Sequence, residues 1–277
     1  MIQTLKNILL FAILFFVQSL NAQVDTVYKS LDRALLNADQ VYQLDLSGQK
    51  LTTLPKAISK LHNLKKLNLS FNSFYKLPNS VYSLTNLQEL NLRFNKLQQV
   101  PKYISKLINL EVLILSTNKI SILDEEIFEL KNLKVLQLNE CRLKQIPNSI
   151  GKLTQLEKLI LSYNQLEVIP KSIGLLTNLK QLSLNGNRIT KLPNTIGNLK
   201  NLEKLYIYKN QLTALPNSIG DLQHLTLLSV SDNPLLTLPE SAKNLTSLVE
   251  LNIVGCNFSE NEQNRIRKEF PQLELWF

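Results

Sequence analysis

Apolar residues recur along this chain in two alternating patterns. In Leu67-x-Leu69 they fall at every second position, as in a strand with one buried face. In Ile58 and Leu61, or Ile150 and Leu153, they stand three apart, the spacing of one helical or 3-10 turn. Between the two patterns comes a proline, at Pro55, Pro78, Pro101, Pro147, Pro170, Pro193, Pro216 and Pro239. Proline has no N–H to donate and a fixed φ, so it ends one segment and starts the next turn. The combined pattern then repeats. Leu64, Leu87, Leu110, Leu133, Leu156, Leu179, Leu202, Leu225 and Leu248 are each 23 residues apart, and Val41 extends the series backwards to ten unit starts. One such strand cannot bury its leucines alone, so the units must stack and share a core. The expected fold is an α/β solenoid. A parallel sheet lines the concave side of a horseshoe, and short helical or 3-10 turns form its convex side.

The ninth position of each unit holds Gln49, Asn72, Asn95, Asn118, Cys141, Asn164, Asn187, Asn210, Asn233 and Cys256. An amide both donates and accepts, so this column can tie buried backbone where the chain bends out of the strand. Both cysteines of the chain stand in it, five coils apart. At ~4.8 Å per strand that is ~24 Å, beyond the reach of a disulfide. Two buried free thiols are expected.

The full unit reads Leu64-x-x-Leu67-x-Leu69-x-x-Asn72-x-Phe74-x-x-Leu77-Pro78-x-x-Val81-x-x-Leu84-x-Asn86. It resembles the leucine-rich repeat family, specifically the 23-residue type with a Leu-Pro-x-x-Ile-x-x-Leu second half, as in Ras-group and plant disease-resistance leucine-rich repeat proteins. The resemblance covers residues 41–258, and the family also accepts Cys in the ladder column. It implies the horseshoe fold and a recognition role. The scaffold serves many ligands, so it names none.

Residues 1–22 read as a secretory signal peptide. Lys6 precedes an apolar run from Ile8 to Val17, too short to span a bilayer, and Ala22 offers a small residue for cleavage. An exported, bacterial-style protein is therefore expected, at the periplasm, cell surface or outside the cell. A cytoplasmic protein with an uncleaved N-terminus is the alternative. In residues 23–40, Val27, Leu31, Ala34, Leu35 and Ala38 share one helical face and predict an N-terminal cap helix. At residues 259–277, Ser259-Glu-Asn-Glu262 reads as a capping box opening a helix to about Glu269, with Ile266 and Phe270 turned inward. Pro271 stops it, and Leu273-Glu-Leu275-Trp-Phe277 imitates a last strand. Two caps around ten units predict one closed domain without an attached enzyme.

Composition narrows the chemistry. With 7 Gly, 2 His and 2 Cys in 277 residues, neither a metal cluster nor a glycine-rich nucleotide loop is expected. His62 and His224 have no second ligand at metal spacing, and no nucleophile motif occurs, so no catalytic site, metal or cofactor is expected. The fourth unit departs from the pattern, with Asp124 in place of proline before Glu125, Glu126 and Glu129. Asp124 is expected to cap a helical turn, with the glutamates favourable in its first turn.

The net charge of +9 depends for its meaning on where it sits. Positions two, three, five, seven and eight point out of the concave strands. They carry the cations Lys65, Lys66, Arg93, Lys134, Lys158, Lys180, Lys204 and Lys209. They carry as many acids: Asp45, Glu89, Glu111, Glu140, Glu157, Glu203, Asp232 and Glu250. That face is expected to be neutral. The surplus falls on turns and the convex side, at Lys56, Lys76, Lys102, Lys144, Lys171 and Lys191, where it suits solubility or adhesion to acidic glycans or membrane headgroups. Nucleic acid would need a basic groove with stacking aromatics and is not expected.

A protein or envelope ligand on the concave face is the expected partner. Val112, Ile114, Val135 and Ile160 gather on the fourth to sixth units. Phe71, Phe94 and Tyr163 stand at eighth positions along one rim, and Tyr206 and Tyr208 project from the eighth unit. Interface anchors have this character, although β-propensity alone also puts Val, Ile and Tyr on strands. The alternative role is an intracellular signalling scaffold of the Ras-group type.

Overall fold

The computed structural model describes residues 26–277; the leader expected over residues 1–22 lies outside them. The strands are β1 (Val27–Tyr28), β2 (Gln43–Asp45), β3 (Lys66–Asn68), β4 (Glu89–Asn91), β5 (Val112–Ile114) and β6 (Val135–Gln137). They continue as β7 (Lys158–Ile160), β8 (Gln181–Ser183), β9 (Lys204–Tyr206), β10 (Leu227–Ser229) and β11 (Glu250–Asn252). All eleven form one sheet in chain order, and every pair is parallel. From β2 onward the partners sit one repeat apart, as Leu67 opposite Leu90 and Leu113 opposite Leu136. Each central leucine therefore stacks on its counterparts, and all of them are buried. A parallel sheet needs cover for its faces. The opposite wall supplies it on one side with Ile58, Val81, Ile104, Ile127, Ile150, Ile173, Ile196 and Ile219, each buried.

The convex segments are 3-10 turns, as in Lys171–Leu175 and Asn194–Asn198. Most start behind a proline at φ near −68° and ψ near 149°, as Pro170 shows, and the prolyl carbonyl accepts the amide three residues on; the turn Ile104–Lys106 instead starts behind Tyr103, in left-handed backbone at φ 70°. Asp124 takes the same backbone shape without proline, but its side chain makes no capping hydrogen bond, contrary to the sequence expectation. The glutamates after it act between coils instead. Glu126 accepts from the Tyr103 amide at 2.8 Å, Glu125 from Ser149 Oγ at 2.9 Å, and Glu129 pairs with Lys152 at 2.9 Å. A 3-10 turn this short leaves an acidic side chain free to reach the next coil.

The ladder column is built as the amide pattern requires. Asn164 Nδ2 donates to the carbonyls of Leu138, Leu161 and Ser162, and its Oδ1 accepts from the Leu143 amide at 3.0 Å. Asn72, Asn95, Asn118, Asn187, Asn210 and Asn233 repeat this scheme, and all are buried. At the first unit Gln49 Nε2 donates to the Lys29 carbonyl. Cys141 and Cys256 make only weak contacts, each standing 3.5 Å from the carbonyl one coil back.

Both thiols are free. Cys141 is buried, but Cys256 is only half-buried, which corrects the expectation of two buried thiols. Its coil is the last, and no further strand stacks on it. Burial pushes both thiols up to about 11 from the usual 9. The stability tied to their neutral form is full below pH 9 and is lost as pH rises through 11. At neutral pH the native protein should leave a thiol reagent nearly untouched, and the unfolded chain should take up two equivalents. A Cys141–Cys256 bridge in mass mapping would contradict the stacking.

A second ladder runs along the opposite edge. Asn63, Asn86, Asn109, Asn132, Asn178 and Asn201 each donate Nδ2 to the carbonyl 24 residues earlier, at 2.8–2.9 Å. His224 takes the same place, its Nδ1 2.7 Å from the Lys200 carbonyl. Because that partner only accepts, Nδ1 carries the proton.

Both caps differ from their sequence pattern. The N-terminal helix α1 spans only Leu31–Leu36, started by Ser30, whose side chain accepts from the Arg33 amide. Val27 lies on β1 and is exposed, and Ala38 opens a separate 3-10 turn. A strand here pairs with β2 and moves the free edge out to a two-residue strand. At the other end the helix α2 (Glu260–Glu269) buries Ile266 and Phe270 as expected. Leu273, Leu275 and Phe277 form no strand; they pack side chains on the core, Phe277 meeting Phe258 edge to face at 6.3 Å.

The capping box is half made. Ser259 Oγ accepts from the Glu262 amide at 3.3 Å, but the Glu262 carboxylate turns back to Thr237 Oγ1 and the Leu238 amide, both at 2.9 Å, and to Arg265. Arg265, foremost, holds the Glu262 carboxyl down at about 2, and the Leu238 amide and Thr237 hydroxyl add to this. A lowered carboxyl contributes stability above its ordinary value of 4.5 and loses it as pH falls toward 2. Glu262→Gln should flatten the loss of stability across that window in acid titrations followed by circular dichroism.

Candidate functional site

The concave strands are one residue pitch wide on each side of the buried leucine, so their outward side chains form regular files. Along the file of second positions charges alternate as Glu111, Lys134, Glu157 and Lys180. Lys134 meets Glu111 at 2.8 Å and Lys180 meets Glu157 at 2.8 Å; in the next file Lys66 lies 3.7 Å from Glu89. Glu111 raises the Lys134 pKa and Lys180 lowers that of Glu157, each chiefly through its hydrogen bond. Exposed pairs of this kind contribute little stability. With eight acids and eight cations on it, the face carries no net charge.

The structure divides the proposed binding residues into three groups. Val112 stands directly opposite Val135 on β5 and β6, while Ile114 and Ile160 flank Gln137 on β5, β6 and β7. All four aliphatic side chains are half-buried rather than exposed. Phe71 and Phe94 stack on each other at 5.1 Å with Arg93 over the Phe71 ring, on the second and third units. Tyr163, Tyr206 and Tyr208 come together with Ile160 around a hollow on the sixth to eighth units.

That hollow has a volume of about 430 Å³ and is open to solvent. Its lining includes the short side chains of Ser162 and Ser183, both buried, between taller walls of Tyr163, Tyr206 and Tyr208. Gln137, Asn139, Gln181 and Asn185 supply amides, and Glu140 and Lys158 one charge of each sign. The Tyr163 hydroxyl lies 3.1 Å from that of Tyr208, two coils away. This bond, then burial, raises the Tyr208 pKa, and Asn185 pulls it the other way.

Gly186 lets the two tyrosines meet. The eighth position has φ between 52° and 74° in every unit, and seven units fill it with Phe71, Phe94, Thr117, Glu140, Tyr163, Lys209 or Asp232. The left-handed backbone therefore does not require glycine here. A Cβ at Gly186 would stand 2.5 Å from Tyr163 Cδ1, so the missing side chain is the space the ring occupies. Sequence reasoning singled out the tyrosines by type and position. It missed Gly186, Asn185 and the serines, whose signal is smallness between large neighbours.

The charge surplus has a definite place. Along the stretch leaving each ladder residue stand Lys50, Lys76, Lys96, Lys119, Arg142, Lys144, Arg188 and Lys191, against Asp124 and Glu167. Eight cations against two acids make this flank the basic side. Among the described residues no group of His, Cys, Asp and Glu could hold a metal, and no helix is long and apolar enough to cross a membrane.

A family model described as a leucine-rich repeat region matches residues 95–186 and 167–274, and a leucine rich repeat model matches residues 39–97. No curated protein matches the chain. Among solved structures, a leucine-rich repeat protein of Leptospira interrogans is 28% identical with a TM-score of 0.55, covering 91% of this chain and 100% of its own. An internalin from Listeria monocytogenes is 25% identical with a TM-score of 0.69, covering 87% and 74%. The plant peptide hormone receptor RGFR1 in complex with RGF2 is 27% identical with a TM-score of 0.63; the match covers 84% of this chain and 46% of the receptor, about half its length.

Proposed function

Since the chain belongs to the leucine-rich repeat family, whose members are generally protein-binding and typically non-catalytic scaffolds, we propose that it is an exported, non-catalytic binding module. Its ligand is a protein or an envelope component held on the concave face. The observation that carries this reading is the hollow around Tyr163, Tyr206 and Tyr208: large amphipathic side chains on a rigid sheet, on a face with no net charge. Such a surface needs little ordering when a partner arrives. Export is supported by the Lys6 and Ile8–Val17 pattern of the N-terminus.

Two double variants test the surface: Tyr206→Ala with Tyr208→Ala, and Ile114→Ser with Ile160→Ser. Both should capture less partner from the native envelope while melting within a few degrees of the parent protein. Unchanged capture in both would move the site off the concave face. Fractionation tests the compartment: a mature N-terminus near Gln23 outside the cytoplasm supports export, and intact Met1 in the cytosol supports an intracellular scaffold. The basic flank favours one second reading, adhesion to acidic glycans or anionic headgroups. That adhesion should weaken steeply with added salt.

A further inference from the structure

Asn185 lies in the floor of the hollow, 8% exposed, and its side-chain Oδ1 is buried without a hydrogen-bond partner. A buried acceptor left open costs free energy, and within a preformed hollow it marks where a ligand's donor belongs. The surroundings restrict that ligand. An apolar side chain of a partner would cover Asn185 and leave its Oδ1 unpaired. A charged group would meet one acid and one base, Glu140 and Lys158, and gain no net attraction. A neutral group that both donates and accepts, with an apolar face for the tyrosine rings, satisfies both conditions. A sugar ring has this make-up: hydroxyls around its rim and C–H groups on its faces.

We infer that the hollow between Tyr163, Tyr206 and Tyr208 is a subsite for a neutral saccharide unit, one hydroxyl of which donates to Asn185 Oδ1. The inference rests on the concave-face reading and specifies the chemistry of its ligand. The volume, about 430 Å³, falls in the ordinary range of small-ligand clefts. Tyr163, tied to Tyr208 across Gly186, is held as a fixed wall, so little side-chain freedom remains to be lost on binding.

The test uses maltose, cellobiose and N,N′-diacetylchitobiose as probes, with saturation-transfer NMR and calorimetry on the mature protein. At least one should bind saturably at millimolar concentration. Asn185→Ala and Gly186→Ala should each weaken it by about tenfold, the first by removing the acceptor and the second by displacing the Tyr163 ring. Alanine at residue 186 should keep the fold, because seven other units carry a side chain there. Tyr75→Ala, exposed on the basic flank and outside the concave face, should leave sugar binding unchanged. Absence of saturable binding for all three probes, or equal binding by both hollow variants, overturns the inference. If sugars fail while Gly186→Ala still reduces capture of the native partner, the concave face stands and the hollow takes a peptide group instead.

Discussion

Asn164→Ala should lower stability by about 3 kcal/mol in denaturant melts, the upper end for a buried polar truncation. The side chain carries four hydrogen bonds, donating to Leu138, Leu161 and Ser162 and accepting from Leu143, and alanine replaces none of them. The backbone groups left behind sit between coils, where water does not reach them readily. Cys141→Asn in the same column should stay within about 1 kcal/mol of the parent or improve on it. There the sulfur accepts weakly from the Ile120 amide and stands 3.5 Å from the Leu115 carbonyl, both of which an amide would serve better. A neutral Asn164→Ala would mean that the column does not hold the coils together.

Gly220→Ala should cost roughly 2–3 kcal/mol, an overpacking effect at the convex wall. A Cβ there would run into the backbone carbonyl of Ser241 on the next coil, with the Ser241 carbonyl carbon and Cβ both at 2.8 Å. Backbone cannot swing aside as a side chain does. Gly174 meets Thr195 in the same way, and at Gly197 the Ser218 carbonyl would be 2.5 Å from the new atom. Gly48→Ala is the control. Its Cβ meets nothing within 4 Å, and only the left-handed backbone, φ 69°, opposes it, at a cost of ~1 kcal/mol. A Gly220→Ala protein as stable as the parent would show that the coils have slack on this side.

The repeat made much of this legible in the sequence. A period without insertions fixes which leucines stack, so Leu67 opposite Leu90 follows from counting, as does the placement of both thiols in one column. The caps were less legible because each occurs once. Val27 fits a helical face as well as a strand, and only the open edge of β2 decides between them. Glu262 fits a capping box until Arg265 and the Leu238 amide compete for its carboxylate. The edge asparagines were visible as a column, but the carbonyls they bind belong to the preceding coil. The hollow is the least legible feature. It depends on Ser162, Ser183 and Gly186 being small beside tyrosines from two units that are not neighbours, and no single unit records that relation.

Hydroxyl-radical footprinting of the protein, alone and with a captured partner, tests the placement of the binding site most directly. Tyr163, Tyr206 and Tyr208 should lose reactivity in the complex while Tyr75, exposed on the basic flank, keeps it. Protection of Tyr75 with the three concave tyrosines unchanged would contradict it.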